Sequence, residues 1–204
     1  MNFGFSEEQE LLRKTARDFL SNCASMTRVR EAMEGDERTA LEIWRRMSEL
    51  GWPGLAFPEG VGGAGMGMVE LCVVLEELGR ALAPIPFLPT VLAGVAILEA
   101  GDEEQQQTWL SQICDGSVTG TLAITEERGS DEPADLNLRA RMDGDRWRLD
   151  GRKLFVPDAT LGVLPKRANE MPSSSEDLPL PMGPTMPTSL RSASSKVAGQ
   201  LIQG

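Results

Sequence analysis

The spacing of apolar residues changes character once along this chain, at Gly116, and that change limits the folds open to it. Before it, apolar residues recur every three or four positions, the repeat of helices that bury one face. After it they alternate with charged residues, the repeat of a half-buried strand. Ser6-Glu7-Glu8-Gln9 is a capping box that opens a first helix, with Leu12, Ala16, Phe19, Leu20 and Cys23 along one stripe. A second stripe holds Leu41, Trp44, Met47 and Leu50 and stops at Gly51. A third covers residues 68–82 with Leu71, Cys72, Leu75 and Leu78, and a fourth covers residues 90–100 and ends at Gly101. A fifth starts at Asp102, an N-cap with Gln105 three positions on, and carries Trp109, Leu110 and Ile113.

Beyond Gly116, residues 118–124 form a short apolar run of the kind a buried strand shows. Leu138, Ala140 and Met142 then alternate with Arg139 and Arg141, and Trp147 and Leu149 alternate with Arg146 and Arg148 across Asp143-Gly144. Two alternating runs around Asp-Gly predict a hairpin. Asp150-Gly151 leads into Lys153-Leu154-Phe155-Val156, a further strand. The fold class expected is α+β: a mainly helical N-terminal bundle at 1–116, an incomplete antiparallel β domain at 117–158, and a tail at 159–204.

Composition divides the chain at the same end. All but three of the 31 acidic residues precede position 159, and seven of the 13 prolines lie at positions 157–187 beside Ser173-Ser174-Ser175. Proline removes ladder and helix hydrogen bonds, so 159–204 reads as disordered. The net charge of −11 repels phosphate backbones and argues against nucleic acid. The absence of histidine excludes imidazole triads and His-ligated zinc. Cys23, Cys72 and Cys114 are an odd number with no C-x-x-C spacing, so neither a metal knuckle nor a redox pair is expected. The start MNFGFSEEQE has no apolar leader, and no run approaches the ~20 residues that span a bilayer. A reducing cytoplasm is the expected setting.

Few segments carry chemical signals. Glu59-Gly60-Val61-Gly62-Gly63-Ala64-Gly65-Met66-Gly67 is glycine-rich but lacks the Lys-Ser/Thr of a phosphate loop and follows no strand. It reads as a flexible connection between helices. The pairs Glu7-Glu8 and Glu103-Glu104 sit at helix starts, where they complement the dipole. Glu76-Glu77 reads as part of a solvated helix face, and the four tryptophans read as core. Thr125-Glu126-Glu127-Arg128-Gly129-Ser130-Asp131 leaves a strand for a loop with small hydroxyl and glycine residues. Such loops offer donors to ligands, and a turn capped by Ser or Asp is an equally good account.

In collinear order over residues 3–156, several of these segments resemble the acyl-CoA dehydrogenase family. They are Phe5-Ser6-Glu7-Glu8-Gln9, Leu50-Gly51-Trp52, Pro58-Glu59, Gly62-Gly63-Ala64-Gly65, Leu75-Glu76-Glu77-Leu78-Gly79-Arg80, Gly101-Asp102-Glu103-Glu104-Gln105, Ile124-Thr125-Glu126, Gly129-Ser130-Asp131 and Leu149-Asp150-Gly151-Arg152-Lys153. The resemblance implies a helical domain, a middle β domain and a C-terminal helical domain. It also implies FAD held between the last two, an acyl-CoA thioester substrate desaturated at its α,β bond, and an electron-transferring flavoprotein as acceptor. It places the chain in lipid metabolism and fatty acid β-oxidation, in a homo- or hetero-oligomer. Carried across by position, Leu122, Ile124 and Thr125 match a strand end that contacts the flavin ring. Gly129 and Ser130 match a loop touching cofactor and thioester chain, and Phe155 matches an aromatic residue packed on the flavin. Pro157 stands at a cofactor-contact position where the family has Thr or Ser, and it lacks both the hydroxyl and the amide donor. No residue here matches the family's catalytic glutamate, and no metal ligand is implied. The tail resembles no part of the family, so the chain reads as a truncated or frame-shifted dehydrogenase, inactive by itself. The alternative is a non-catalytic partner subunit that binds a complete dehydrogenase.

Overall fold

A computed structural model describes residues 4–130, 135–144 and 146–159. Its helices start where side chains satisfy the free amides of the first turn. The Gln9 amide donates to Ser6 Oγ at 3.2 Å, and the Ser6 amide donates to Gln9 Oε1 at 2.9 Å. This reciprocal cap opens α1 (Glu7–Cys23), which buries Ala16, Leu20 and Cys23, and such a cap stabilises a helix by about 1 kcal/mol. The stripes predict no element between α1 and the next long helix, yet α2 (Met26–Met33) lies there, capped by Ser25. It has two turns and buries Val29, too little for a periodic signal.

In α3 (Glu37–Glu49) the buried face is Ala40, Ile43, Trp44 and Met47, an i, i+3, i+4, i+7 set. Leu41 and Leu50, predicted in that stripe, are exposed: Leu41 lies off the arc that the other four share, and Leu50 is the cap residue beyond the last turn of α3. Gly51 at φ 73° stops the helix, a left-handed backbone that glycine adopts without a Cβ penalty. α4 (Met68–Ala81) buries Leu71, Val73, Val74 and Leu78, while Cys72 faces outward rather than into the core. α1 packs along α4, and α2 against α3. Phe19 meets Trp52 edge-to-face at 5.1 Å.

The glycine-rich segment between α3 and α4 has its amides turned inward. Gly63, Ala64, Gly65 and Met66 donate to the carbonyls of Pro58, Gly54, Phe57 and Leu55 at 2.8–3.0 Å. An amide spent on the chain's own carbonyl cannot cradle a phosphate, so the segment is a connection between helices, as its context predicts, but these bonds pin it where a flexible one is expected.

The chain forms two compact units, one built on residues up to Leu88 with Cys114–Gly116, the other on Pro89–Ile113 with the described residues from Ser117 onward. α5 (Phe87–Ala100) begins three residues before the predicted start. Pro89 sits in its first turn, where the missing amide has no intrahelical partner to lose. Asp102 and Gln105 form a second capping box at 2.9 and 3.1 Å. From it run α6 (Glu103–Gln105), a π-helical stretch (Gln106–Leu110) and α7 (Ser111–Cys114).

The hairpin is β1 (Ala140–Asp143) with β2 (Arg146–Leu149), antiparallel, pairing Ala140 with Leu149 and Asp143 with Arg146. The reversal therefore sits one residue beyond the predicted Asp143-Gly144 centre, and Gly144 takes φ 61°. The other two predicted strands are not ladders. Residues 118–124 and 153–156 lack strand hydrogen bonding. One backbone bond, Leu154 N–H to the Thr125 carbonyl at 2.8 Å, joins their neighbourhoods, and a strand pair needs such bonds in series. Beyond position 159 the predicted tail lies outside the described residues.

Candidate functional site

The segment carrying most of the predicted contacts is held in an unusual orientation. Thr119, Thr121 and Ala123 are buried, while Leu122 is half-buried and Ile124 exposed. Polar residues thus face in and the larger apolar residues face out, the reverse of the ordinary alternation. Side-chain hydrogen bonds make the inversion possible. Thr90 on α5 brackets Gly120, accepting its amide at 3.1 Å and donating to its carbonyl at 3.3 Å. A Cβ on Gly120 would come within 2.9 Å of the Ala93 methyl, so only glycine lets the segment lie this close. The Thr121 hydroxyl donates to the Pro157 carbonyl at 2.7 Å.

Phe155 stands beside this open face by connectivity, since Leu154 donates to Thr125. It is 86% exposed with φ 53°. A bulky residue in the left-handed region with its ring in solvent is doubly disfavoured, and such strain concentrates at ligand sites. Pro157 is exposed and serves as the acceptor that anchors Thr121. Gly129, at φ 68°, closes a turn by donating to the Glu126 carbonyl at 2.8 Å, and Ser130 follows it, half-buried. Two bonds, Leu154 to Thr125 and Thr121 to Pro157, thus lay the stretch that carries Leu122, Ile124 and Thr125 beside the stretch that carries Phe155 and Pro157. Gly129 and Ser130 lie on the turn that leaves this segment.

A buried ion pair supports this arrangement, and the sequence reading did not pair its members. Lys153 and Glu126 side chains are 5% and 12% exposed, with Nζ 2.8 Å from Oε1. Glu126 also accepts the Asn137 amide at 2.7 Å and the Leu138 amide at 2.9 Å, and Lys153 also donates to the Ile124 carbonyl at 3.0 Å. Burial works to raise the Glu126 carboxyl, and the Lys153 hydrogen bond with the two amides outweighs it, bringing the group down to about 2. A carboxylate so held is a poor proton acceptor. The sequence signal that could have found the pair is a lysine inside an apolar strand run, which needs a buried anion.

The donor set fits one side of a planar, partly polar ring such as a flavin. Leu122, Ile124 and Phe155 offer apolar surface. The amides of Ile124 and Thr125 and the Thr125 hydroxyl meet no partner among the described residues. No group of three or more His, Cys, Asp or Glu among the described residues could hold a metal, and no described helix is long and apolar enough to cross a membrane.

A family model described as "Acyl-CoA dehydrogenase, N-terminal domain" matches residues 6–117. Acyl-CoA dehydrogenase FadE12 of Mycobacterium tuberculosis is 34% identical over 154 residues, covering 74% of this chain and 39% of the relative. A variant of the Tcur3481-Tcur3483 steroid ACAD superposes with TM-score 0.66 at 41% identity, over 74% of this chain and 41% of that one. A glutaryl-CoA dehydrogenase from Mycobacterium smegmatis in complex with FADH2 superposes with TM-score 0.62 at 26% identity, over 78% of this chain and 41% of that one. The chain thus spans about two fifths of the length of these proteins. The chain belongs to the acyl-CoA dehydrogenase family, whose N-terminal domain it carries at residues 6–117.

Proposed function

We propose that this chain supplies one wall of a flavin site in FAD-dependent dehydrogenation of an acyl-CoA thioester. Residues 1–116 form the helical domain in this reading, and residues 117–158 begin the β domain. The observation that carries it is the inverted face at 118–125, with Leu122 and Ile124 outward beside exposed Phe155. Leu122, Ile124 and Phe155 exclude water from the ring. The Thr125 amide and hydroxyl donate to its polar edge, while Gly129 and Ser130 line the approach of the thioester chain. When bound, FAD supplies the acceptor for the hydride removed from the substrate.

Glu126 is committed to Lys153, Asn137 and Leu138, so in this reading it is not the proton acceptor. The pairing of Tcur3481 with Tcur3483 in a similar steroid ACAD favours a second reading beside this one: a partner subunit that docks on another dehydrogenase chain and contributes the same wall there. Electrons would leave to an electron-transferring flavoprotein, in the cytoplasm.

The test is purification of the chain followed by FAD titration, read by flavin fluorescence. One wall alone predicts a colourless preparation with FAD binding no tighter than about 10 μM, since each lost charged hydrogen bond removes roughly 1.5–3 kcal/mol. Phe155→Ala and Thr125→Val then weaken it further, and no acyl-CoA-dependent dye reduction is seen. Stoichiometric flavin bleached by an acyl-CoA overturns the one-wall reading, and no FAD binding at millimolar concentration overturns the flavin reading.

A further inference from the structure

We propose that Lys153 and Glu126 are positioning residues that aim the Thr125 amide at the flavin, a role that rests on the flavin reading above. In a trans peptide the carbonyl and the following N–H point in opposite directions. Lys153 Nζ holds the Ile124 carbonyl at 3.0 Å, so the Thr125 N–H, on the same peptide plane, points away from the ion pair. The next peptide is fixed by the neighbouring residue, Leu154, whose amide donates to the Thr125 carbonyl at 2.8 Å. Two successive carbonyls gripped by adjacent residues leave the Thr125 backbone little freedom to rotate.

Lys153 can do this because its own charge is neutralised in place. Glu126 is two positions beyond Ile124, and its Oε1 lies 2.8 Å from Nζ. The Leu138 amide donates to the same carboxylate oxygen and the Asn137 amide to the other, so the pair is bonded into three separate stretches of chain. A buried lysine left without this anion would turn toward water and release the Ile124 carbonyl. The pair therefore orients a donor in advance, and binding need not order it. Neither residue is placed to touch the ring itself.

The experiment uses the full chain and the variants Lys153→Met, Lys153→Arg and Glu126→Gln, each checked for wild-type helical circular dichroism. Two readouts are taken: hydrogen exchange at the Leu138 and Leu154 amides, and FAD titration with the visible absorption of the bound flavin. Lys153→Met is expected to speed exchange at both amides and to weaken FAD binding about tenfold. It also returns the absorption toward that of free flavin. Lys153→Arg, which keeps the charge and a donor, is expected to restore at least half of the affinity, and Glu126→Gln to fall between. A folded Lys153→Met chain with wild-type FAD affinity and spectrum overturns the positioning role. If Lys153→Met does not fold, Glu126→Gln decides, and unchanged affinity and exchange in it overturn the proposal. Failure of the wild-type chain to bind FAD is a different result: it overturns the flavin reading, and the aim of the amide with it.

Discussion

Arg17 on α1 grips both oxygens of Glu77 on α4, Nη2 to Oε1 at 2.6 Å and Nε to Oε2 at 3.0 Å, and the Glu77 side chain is 0% exposed. Arg80, one turn further along α4, adds a third bond at 2.9 Å. Glu77 is therefore not on the solvated face that its helix position predicts. It occupies a place in the buried stripe beside Val74 and Leu78, and the fork of Arg17 makes that burial tolerable.

Replacing Glu77 by Gln removes the charge while keeping the shape. Arg17 and Arg80 are about half exposed and can turn to water, so the loss stays near that of a charged hydrogen bond, about 2 kcal/mol. For a chain of this size that lowers the melting temperature by about 5 °C. Thermal unfolding of the variant checks it, and an unchanged midpoint would show that the clamp contributes nothing.

Acid should expose the same interaction. The Arg17 hydrogen bond, against the upward push of burial, holds the Glu77 carboxyl at about 2 instead of 4.5. A group depressed on folding stabilises the native state fully above its unfolded value, and that stability fades as pH falls from about 4.5 toward 2. Glu126 is depressed to the same level and shares the window. Urea unfolding at steps of pH is expected to show Glu77→Gln with a shallower acid slope than wild type, and Glu77→Gln/Glu126→Gln shallower still. Parallel slopes in all three would contradict the assignment.

Gly63→Ala tests the pinned connection. A Cβ there would run into the Phe57 carbonyl, which already accepts the Gly65 amide. Backbone atoms cannot swing aside as a side chain can, so the segment must shift and lose some of its inward bonds. The expected loss is roughly 2–4 kcal/mol, whereas Gly60→Ala, with nothing within 4 Å of its Cβ, should change the midpoint little. Equal midpoints for the two variants would refute the close approach.

The three thiols should react in two classes. Cys72 is exposed, whereas Cys23 and Cys114 are buried. Burial, with Asp115 beside it, pushes the Cys114 thiol up to about 11, and burial raises Cys23 as well. Thiolate is the reactive form, so a thiol reagent near neutral pH is expected to modify one cysteine of the native chain and all three in denaturant. Rapid native labelling of Cys114 would be inconsistent with its packing against Gly54.

What the residues decide locally was legible in the sequence. Ser6 with Gln9 and Asp102 with Gln105 cap helices through partners three positions away, and Gly51 ends α3 through its own backbone. The Asp-Gly hairpin and the family motifs were readable for the same reason: each lies within a few residues of chain. Tertiary structure alone decided the rest. Arg17 reaches Glu77 across 60 residues and Lys153 reaches Glu126 across 27, and in both cases a charge goes inward because a distant opposite charge meets it there. The inverted face at 118–125 depends on Thr90 gripping Gly120 from 30 residues away. No local pattern encodes these choices, because the energy of burying a polar group is set by the partner that the fold delivers to it.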